Sequence, residues 1–125
     1  MKRLLMIICA SGALAVAGFG APAQAKVIDS YCSPTGDFCT GVFKAHGRIK
    51  LKISTFSLRG RYGLCVTNPV RRRTCHSFRL EHRGGIYTDK VDFARNFPHG
   101  RAGRYTASWH KFGNRLGHPL HFRVT

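Results

Sequence analysis

The sequence predicts an all-β protein, a two-sheet antiparallel sandwich of seven or eight short strands with two local disulfides. Alternating apolar and polar residues recur in short runs roughly every ten to fifteen residues along the chain. Residues 103–124 hold two such runs around a turn, which predicts a hairpin with a defined inside. No stretch keeps a helical period long enough for a helix, and no internal repeat is present.

The chain begins with a segment typical of a secretory signal peptide. Lys2 and Arg3 precede an apolar run that ends at the small residues Ala23 and Ala25. We expect cleavage after Ala25, which divides the chain into a signal peptide at 1–25 and a domain at 26–125. No stop-transfer charges follow the apolar run, so we expect a secreted or extracytoplasmic protein without a transmembrane anchor.

The charge is strongly positive. The full chain has a formal net charge of +16, and without the leader it keeps 19 Lys and Arg against 5 acids, a net charge of +14. A field of this sign attracts nucleic acid, acidic lipid head groups, anionic wall polymers and acidic proteins. The alternative interpretation is that the Arg residues only keep the surface of a secreted protein solvated.

Four Cys residues follow the leader: Cys32, Cys39, Cys65 and Cys75. Three pairings are conceivable for four Cys, and gaps of seven and ten residues fit no zinc-binding knuckle. In an exported chain these local spacings favour the disulfides Cys32–Cys39 and Cys65–Cys75.

The first half of the domain supplies two weak strands and one strong one. Residues 26–33 and 40–45 are weakly strand-like, and we expect the ring closed by the first disulfide to reverse the chain without long strand pairing. Residues 48–54 alternate most cleanly, which predicts a half-buried strand with a basic outer face. The inner residues of this strand are Ile49, Leu51 and Ile53, and the outer ones are Arg48, Lys50 and Lys52.

Residues 61–67 and 73–82 predict a second hairpin around a loop that contains Pro69, which cannot continue a central strand. Folding these runs about Val70 places Cys65 directly opposite Cys75 on the outer face. Facing positions of an antiparallel pair have the Cα separation that a disulfide requires.

The rest of the chain predicts one more strand and the closing hairpin. Residues 86–93 alternate between apolar and polar, interrupted by Asp89, and we expect residues 94–101 to form a connection. A two-residue loop at Gly113 and Asn114 then joins the last two strands. The expected facing pairs are Tyr105 with Phe122, Ala107 with Leu120, and Trp109 with His118.

Two resemblances arise in this last hairpin. The Gly-x-Tyr step at Gly103 and Tyr105 resembles the tyrosine corner of immunoglobulin-like domains, which implies an immunoglobulin-like sandwich whose Tyr hydroxyl bonds back to residues 97–101. The hairpin also resembles that of CopC-type copper-binding proteins, at Gly103, Tyr105, Trp109, Gly117, His118 and Pro119. That family implies a copper ligand role only for His118, because Lys26 replaces the family's N-terminal His and no acid stands beside His118. The chain also resembles small Arg-rich secreted proteins of actinobacteria with this Cys pattern, which implies no activity.

Catalytic chemistry finds little support in the sequence. Glu81, His82 and Arg83 are the residue types of a small ribonuclease, but neighbours on a strand face opposite ways and cannot act together. We therefore expect no enzyme, no catalytic residue and no cofactor.

The sequence offers two candidate polyanion sites: the loop residues Arg71, Arg72 and Arg73, and the outer strand face of Arg48, Lys50 and Lys52. Guanidinium groups match phosphate oxygens bidentately, and a protruding loop reaches a polymer. The alternative role of such residues is to guard strands against edge pairing. We predict a monomeric, secreted, basic binding module for an anionic polymer or surface, such as a cell-wall polymer, nucleic acid or acidic protein. The alternatives are an extracytoplasmic copper or metal carrier and, third, a small secreted hydrolase.

Overall fold

Strands make up most of residues 25–125, the part of the chain that the computed structural model describes. In chain order the elements are β1 (Ala25–Cys32), β2 (Phe38–Ala45), β3 (Arg48–Thr55), β4 (Arg61–Thr67), β5 (Arg73–Arg79), β6 (Glu81–Arg83), β7 (Ile86–Asp92), α1 (Phe93–Asn96), β8 (Gly103–Lys111), β9 (Asn114–Arg115) and β10 (Leu120–Val124). Apart from Ala25, the predicted signal peptide lies outside the described residues. Within 25–125, no helix is long and apolar enough to cross a membrane.

The strands form two antiparallel sheets of five strands each, which confirms the predicted sandwich. The first sheet has the order β1-β2-β3-β7-β6, and the second has the order β10-β8-β4-β5, with β9 paired to β8. Strands β2-β3-β7-β6 and β10-β8-β4 reproduce the ABED and GFC sheets of an immunoglobulin domain, while β1 and β5 extend them. The apolar sides of the two sheets face each other, with Trp109 completely buried between them.

Both disulfides pair as predicted, and each closes a hairpin. Cys65 and Cys75 face each other across β4 and β5, while Cys32 and Cys39 face each other across β1 and β2. The expectation of a chain reversal without long strand pairing was wrong. Strand β1 pairs with β2 along its whole length, with one shift of register between Val27 and Asp29.

The sandwich has ten strands rather than seven or eight, since two predicted strands are divided. The run from Arg73 to His82 breaks at Leu80, where the chain crosses from the second sheet to the first. Leu80 is buried there, and its amide donates a hydrogen bond to the Gly60 carbonyl (2.8 Å). The apolar side chain can therefore stay in the core while the flanking strands join different sheets.

The closing hairpin keeps most of its predicted register. Phe122 faces Tyr105 and Leu120 faces Ala107, as expected. The turn lies one residue earlier, at Phe112 and Gly113, which both adopt positive φ as in a type I′ turn. Consequently Leu116 rather than His118 faces Trp109, donating its amide to the Trp109 carbonyl (2.8 Å).

The start of β8 carries the predicted tyrosine corner. The buried Tyr105 donates its hydroxyl to the Arg101 carbonyl (2.7 Å). Phe93, predicted as the end of a strand, instead begins α1, because the Asp92 side chain accepts from the Arg95 amide (3.3 Å) and caps a helical turn.

Candidate functional site

The loop between β4 and β5 is held in shape by Asn68. Its side-chain oxygen accepts hydrogen bonds from the amides of Val70 (3.0 Å) and Arg72 (2.8 Å). The Asn68 carbonyl accepts from the amide of Arg71, which adopts a left-handed φ of 66°. Arg71 and Arg72 are exposed on this loop.

The loop is also docked on the start of β8. A Cβ atom on Gly103 would lie 2.8 Å from Cγ of Pro69, so only glycine permits this approach. The contact sets Arg71 beside Arg104 on the outside of the second sheet. A depression of about 500 Å³ opens there, lined by Thr67, Asn68, Pro69, Arg71, Arg104, Thr106 and His121.

Arg73 belongs to a different cluster from Arg71. It is the first residue of β5, and its Nη2 lies 3.4 Å from Nε2 of His110. Ser108 Oγ is 2.9 Å from the same nitrogen. Because a guanidinium only donates, the imidazole Nε2 acts as the acceptor. Burial, followed by the charges of Arg73 and Arg115, lowers the pKa of His110 and favours its neutral form.

The outer side of the second sheet is the largest basic feature, and sequence reasoning missed it. The strands of this sheet contain no Asp or Glu, whereas they contain seven basic residues: Arg61, Arg73, Arg79, Arg104, Lys111, Arg115 and Arg123. Apart from Lys111, these residues project from the outer face, which we call the arginine face. The signal was present in the sequence as strand parity, since Arg61, Arg79, Arg104 and Arg123 each stand next to a core residue.

Neutral acceptors hold several cations of this sheet in place. Arg61 donates from Nε to Ser77 Oγ (2.9 Å) and from Nη2 to the Ser77 carbonyl (3.1 Å). Arg115 Nε donates to the Gly117 carbonyl (3.0 Å), and Lys111 Nζ donates to the Arg61 carbonyl (2.6 Å). These contacts orient the side chains without cancelling their charge.

The predicted basic row on β3 has a different environment. Arg48 Nε lies 2.6 Å and Lys50 Nζ 3.1 Å from the same Oδ2 of Asp92, whose side chain is only 11% exposed. The hydrogen bond from Arg48 makes the largest contribution to holding the pKa of Asp92 well below its usual range. Lys52 faces Lys90 across the neighbouring strand and stays exposed. Two of the three predicted cations therefore already share a carboxylate.

His118 contacts neighbours that serve packing. Its ring meets the Tyr31 ring edge-on at 4.4 Å, and its Nδ1 is 3.2 Å from the Pro119 carbonyl. A Cβ on Gly117 would overlap the Tyr31 ring, so this glycine makes room for the aromatic side chain. Among residues 25–125, no three His, Cys, Asp or Glu side chains come together as a metal site.

The Glu81-His82-Arg83 row is split between two faces, as strand alternation predicts. Glu81 and Arg83 form an exposed ion pair (3.2 Å) on one face of β6. His82 stacks on Tyr87 at 4.7 Å on the other face.

Known protein families and structures show few similarities to this chain. No family model and no curated protein matches the chain. Among solved structures, the chain is similar to a carbohydrate-binding module, the bromine derivative of BhCBM56, with a TM-score of 0.45 and 15% identity. The match covers 78% of this chain and 100% of that one. At that TM-score the likeness carries no argument about the ligand.

Proposed function

We propose that the protein is a secreted, monomeric binding module for an anionic polymer, which it engages through the arginine face. The observation that carries the proposal is the separation of charge between the sheets. Seven cations and no acid lie on the strands of the second sheet, while the first sheet mixes both signs. A surface whose charges all have one sign attracts an oppositely charged partner more strongly than a surface that mixes both signs.

The chemistry of the arginine face suits phosphate or sulfate groups. Guanidinium groups present paired donors that match the oxygens of such groups, and several of them here are oriented before any ligand arrives. Orientation by neutral acceptors reduces the side-chain entropy that binding must remove. Two local disulfides are typical of proteins that act outside the cytoplasm, where wall polymers and released nucleic acid are available partners.

The loop at 68–72 extends this surface. Arg71 lines the depression beside Arg104, and Arg72 lies next to it on an exposed turn. We include Arg71, Arg72 and Arg73 in the proposed site and rank Arg48, Lys50 and Lys52 below them. Metal carriage would have His118 as its candidate ligand, and no contact of that residue favours it.

The test is the salt dependence of binding to heparin and to double-stranded DNA. Replacing Arg71, Arg72 and Arg73 with Ser should reduce the slope of log K against log salt by about 2–3, because each phosphate contact contributes about 0.9. The melting temperature should stay nearly unchanged, since exposed charges contribute little to stability.

The matched control replaces Lys52 and Lys90, a facing pair of exposed cations on the first sheet, with Gln. This variant should keep most of the wild-type slope. Equal slopes for wild type and the loop variant would exclude the loop, and failure of the wild type to bind either polymer at low salt would exclude the proposed function.

A further inference from the structure

The arginine face carries two pairs of facing arginines, one at each end. Arg61 faces Arg79 across β4 and β5, and Arg104 faces Arg123 across β8 and β10. All four side chains are exposed and point to the same side of the sheet. Two pairs of neighbouring guanidinium groups therefore share one surface.

The strand register fixes the distance between the pairs. Thr67 of β4 faces Thr106 of β8, with Arg61 six residues before Thr67 and Arg104 two residues before Thr106. Because the strands are antiparallel, the two pairs are eight residue steps apart. At roughly 3.3 Å per residue, this separation is about 26 Å along the strand direction.

The surface between the pairs is low and carries further cations. Gly63, which has no side chain, and the Cys65–Cys75 disulfide lie near its centre. Arg73 and Arg115 flank His110 along the same path. A chain could lie along the strands over this centre and meet positive charge at both ends and on both sides of the disulfide.

We propose that the arginine face takes an extended linear polyanion, laid along the strand direction and at least about 26 Å long, in preference to a compact anion of equal charge. This inference rests on the proposed function and adds the shape of the ligand. A compact anion reaches one arginine pair, whereas an extended chain reaches both. Once the first pair is bound, the second binds at a high effective concentration, so affinity rises steeply at the spanning length.

The experiment uses two series of chains, single-stranded oligothymidylates of about 4 to 16 nucleotides and linear polyphosphates of graded length. Dissociation constants are measured by calorimetry at one low salt concentration. We expect affinity to rise tenfold or more as either series passes a contour length of about 26 Å, and only slowly beyond it. The two series differ in the distance between neighbouring charges. A threshold at the same contour length in both series would therefore show that length, rather than the number of charges, causes the rise in affinity.

Variants distinguish binding that spans both arginine pairs from the rise in affinity that longer chains show because they offer more overlapping binding positions. Replacing Arg61 and Arg79 with Gln should abolish the step but leave the binding of short chains through Arg104 and Arg123. The Lys52 and Lys90 double variant should keep the step, and Arg79→Gln alone serves if the double variant does not fold.

Three outcomes decide between the possibilities. A step shared by both series and lost without the Arg61 and Arg79 pair supports the inference. Gradual binding without a step, or inositol hexakisphosphate bound as tightly as the long chains, would overturn the inference while the proposed function stands. Absence of binding by every probe would remove both.

Discussion

The two sheets carry the same number of basic residues but place them in different electrostatic environments. The strands of the first sheet contain seven: Lys26, Lys44, Arg48, Lys50, Lys52, Arg83 and Lys90. Four acids lie on the same strands: Asp29, Glu81, Asp89 and Asp92. The second sheet has seven basic residues and no acid, so the net charge of the chain conceals a division between its two sides.

The acids of the first sheet form specific contacts that hold the sandwich together. Asp92 joins β7 to β3 through Arg48 and Lys50 and also caps α1. Asp89 accepts the hydroxyl of the buried Tyr62 (2.8 Å), and burial, then Asp89, raises the pKa of that phenol. The Asp29 carboxylate accepts the amide of His121 (2.9 Å), linking β1 to β10.

The cations of the second sheet use neutral partners for the same purpose of orientation. Ser77, His110 and backbone carbonyls accept from its Arg and Lys side chains. A fold can therefore position cations with or without neutralising them. Only the sheet without acids keeps the full charge that a polyanion would meet.

The largest effect should follow from placing an acid on the arginine face. Ser77→Asp puts a carboxylate beside Arg61, which should neutralise that end of the face and weaken DNA binding about tenfold at ~0.1 M salt. Ser54→Asp makes the same substitution on the outer face of the first sheet and serves as the control. Fluorescence anisotropy with a labelled duplex measures both, and equal losses would mean that net charge, rather than its location, determines binding.

The next effect is the acid sensitivity of the first sheet. Asp92→Asn removes the partner of Arg48 and Lys50, and we expect the melting temperature to fall by roughly 2–6 °C at neutral pH. The folded pKa of Asp92 is lowered, so its stabilisation is present above about pH 4, the unfolded value, and is lost as pH falls further.

Melting curves of wild type and Asp92→Asn between about pH 7 and pH 2 measure this dependence. The difference between the two proteins should shrink as the pH falls below about 4. A difference that stays constant through this range would show that Asp92 acts by packing or capping rather than by charge.

The smallest effect is a loss of stability that depends on His110 of the second sheet and occurs at a higher pH. The folded pKa of His110 is lowered, so the unfolded chain takes up the proton first as pH falls through about 6.5. The wild type should therefore lose a little stability between about pH 7.5 and pH 5.5, while His110→Asn should not show this loss. Urea titrations at both pH values measure it, and identical pH dependence in the variant would contradict the lowering of the His110 pKa by burial and by Arg73 and Arg115.

The fold could be predicted from the sequence where apolar and polar residues alternate and the strands that pair are neighbours along the chain. The Cys65–Cys75 hairpin and the pairing of Tyr105 with Phe122 follow from periods and spacings that strand geometry fixes, whereas the tyrosine corner was expected from the resemblance to immunoglobulin-like domains. The breaks in strands were missed because they depend on tertiary packing. Leu80 continues an alternating run, and only its burial between the sheets shows that the chain changes sheet there.

The candidate site was harder to predict than the fold. Contiguous basic residues stand out in a sequence, and Arg71 to Arg73 were found in this way. Arg61, Arg79, Arg104 and Arg123 come from four strands, so their common surface depends on which strands pair. The contact of Arg48 and Lys50 with Asp92 likewise spans more than forty residues and requires the register of β3 with β7.

The acid-free second sheet also gives the molecule an electric dipole, because its strands carry seven positive charges and no negative one, whereas the strands of the first sheet carry seven positive and four negative charges. A dipole exerts torque in the field of an anionic surface and turns the arginine face toward it before contact. Such steering raises association rates and weakens as salt shortens the Debye length. On arrival, the first sheet would face the solvent, so the apolar hollow on its outer side, between Val27, Gly41 and Phe43, would remain open to other molecules.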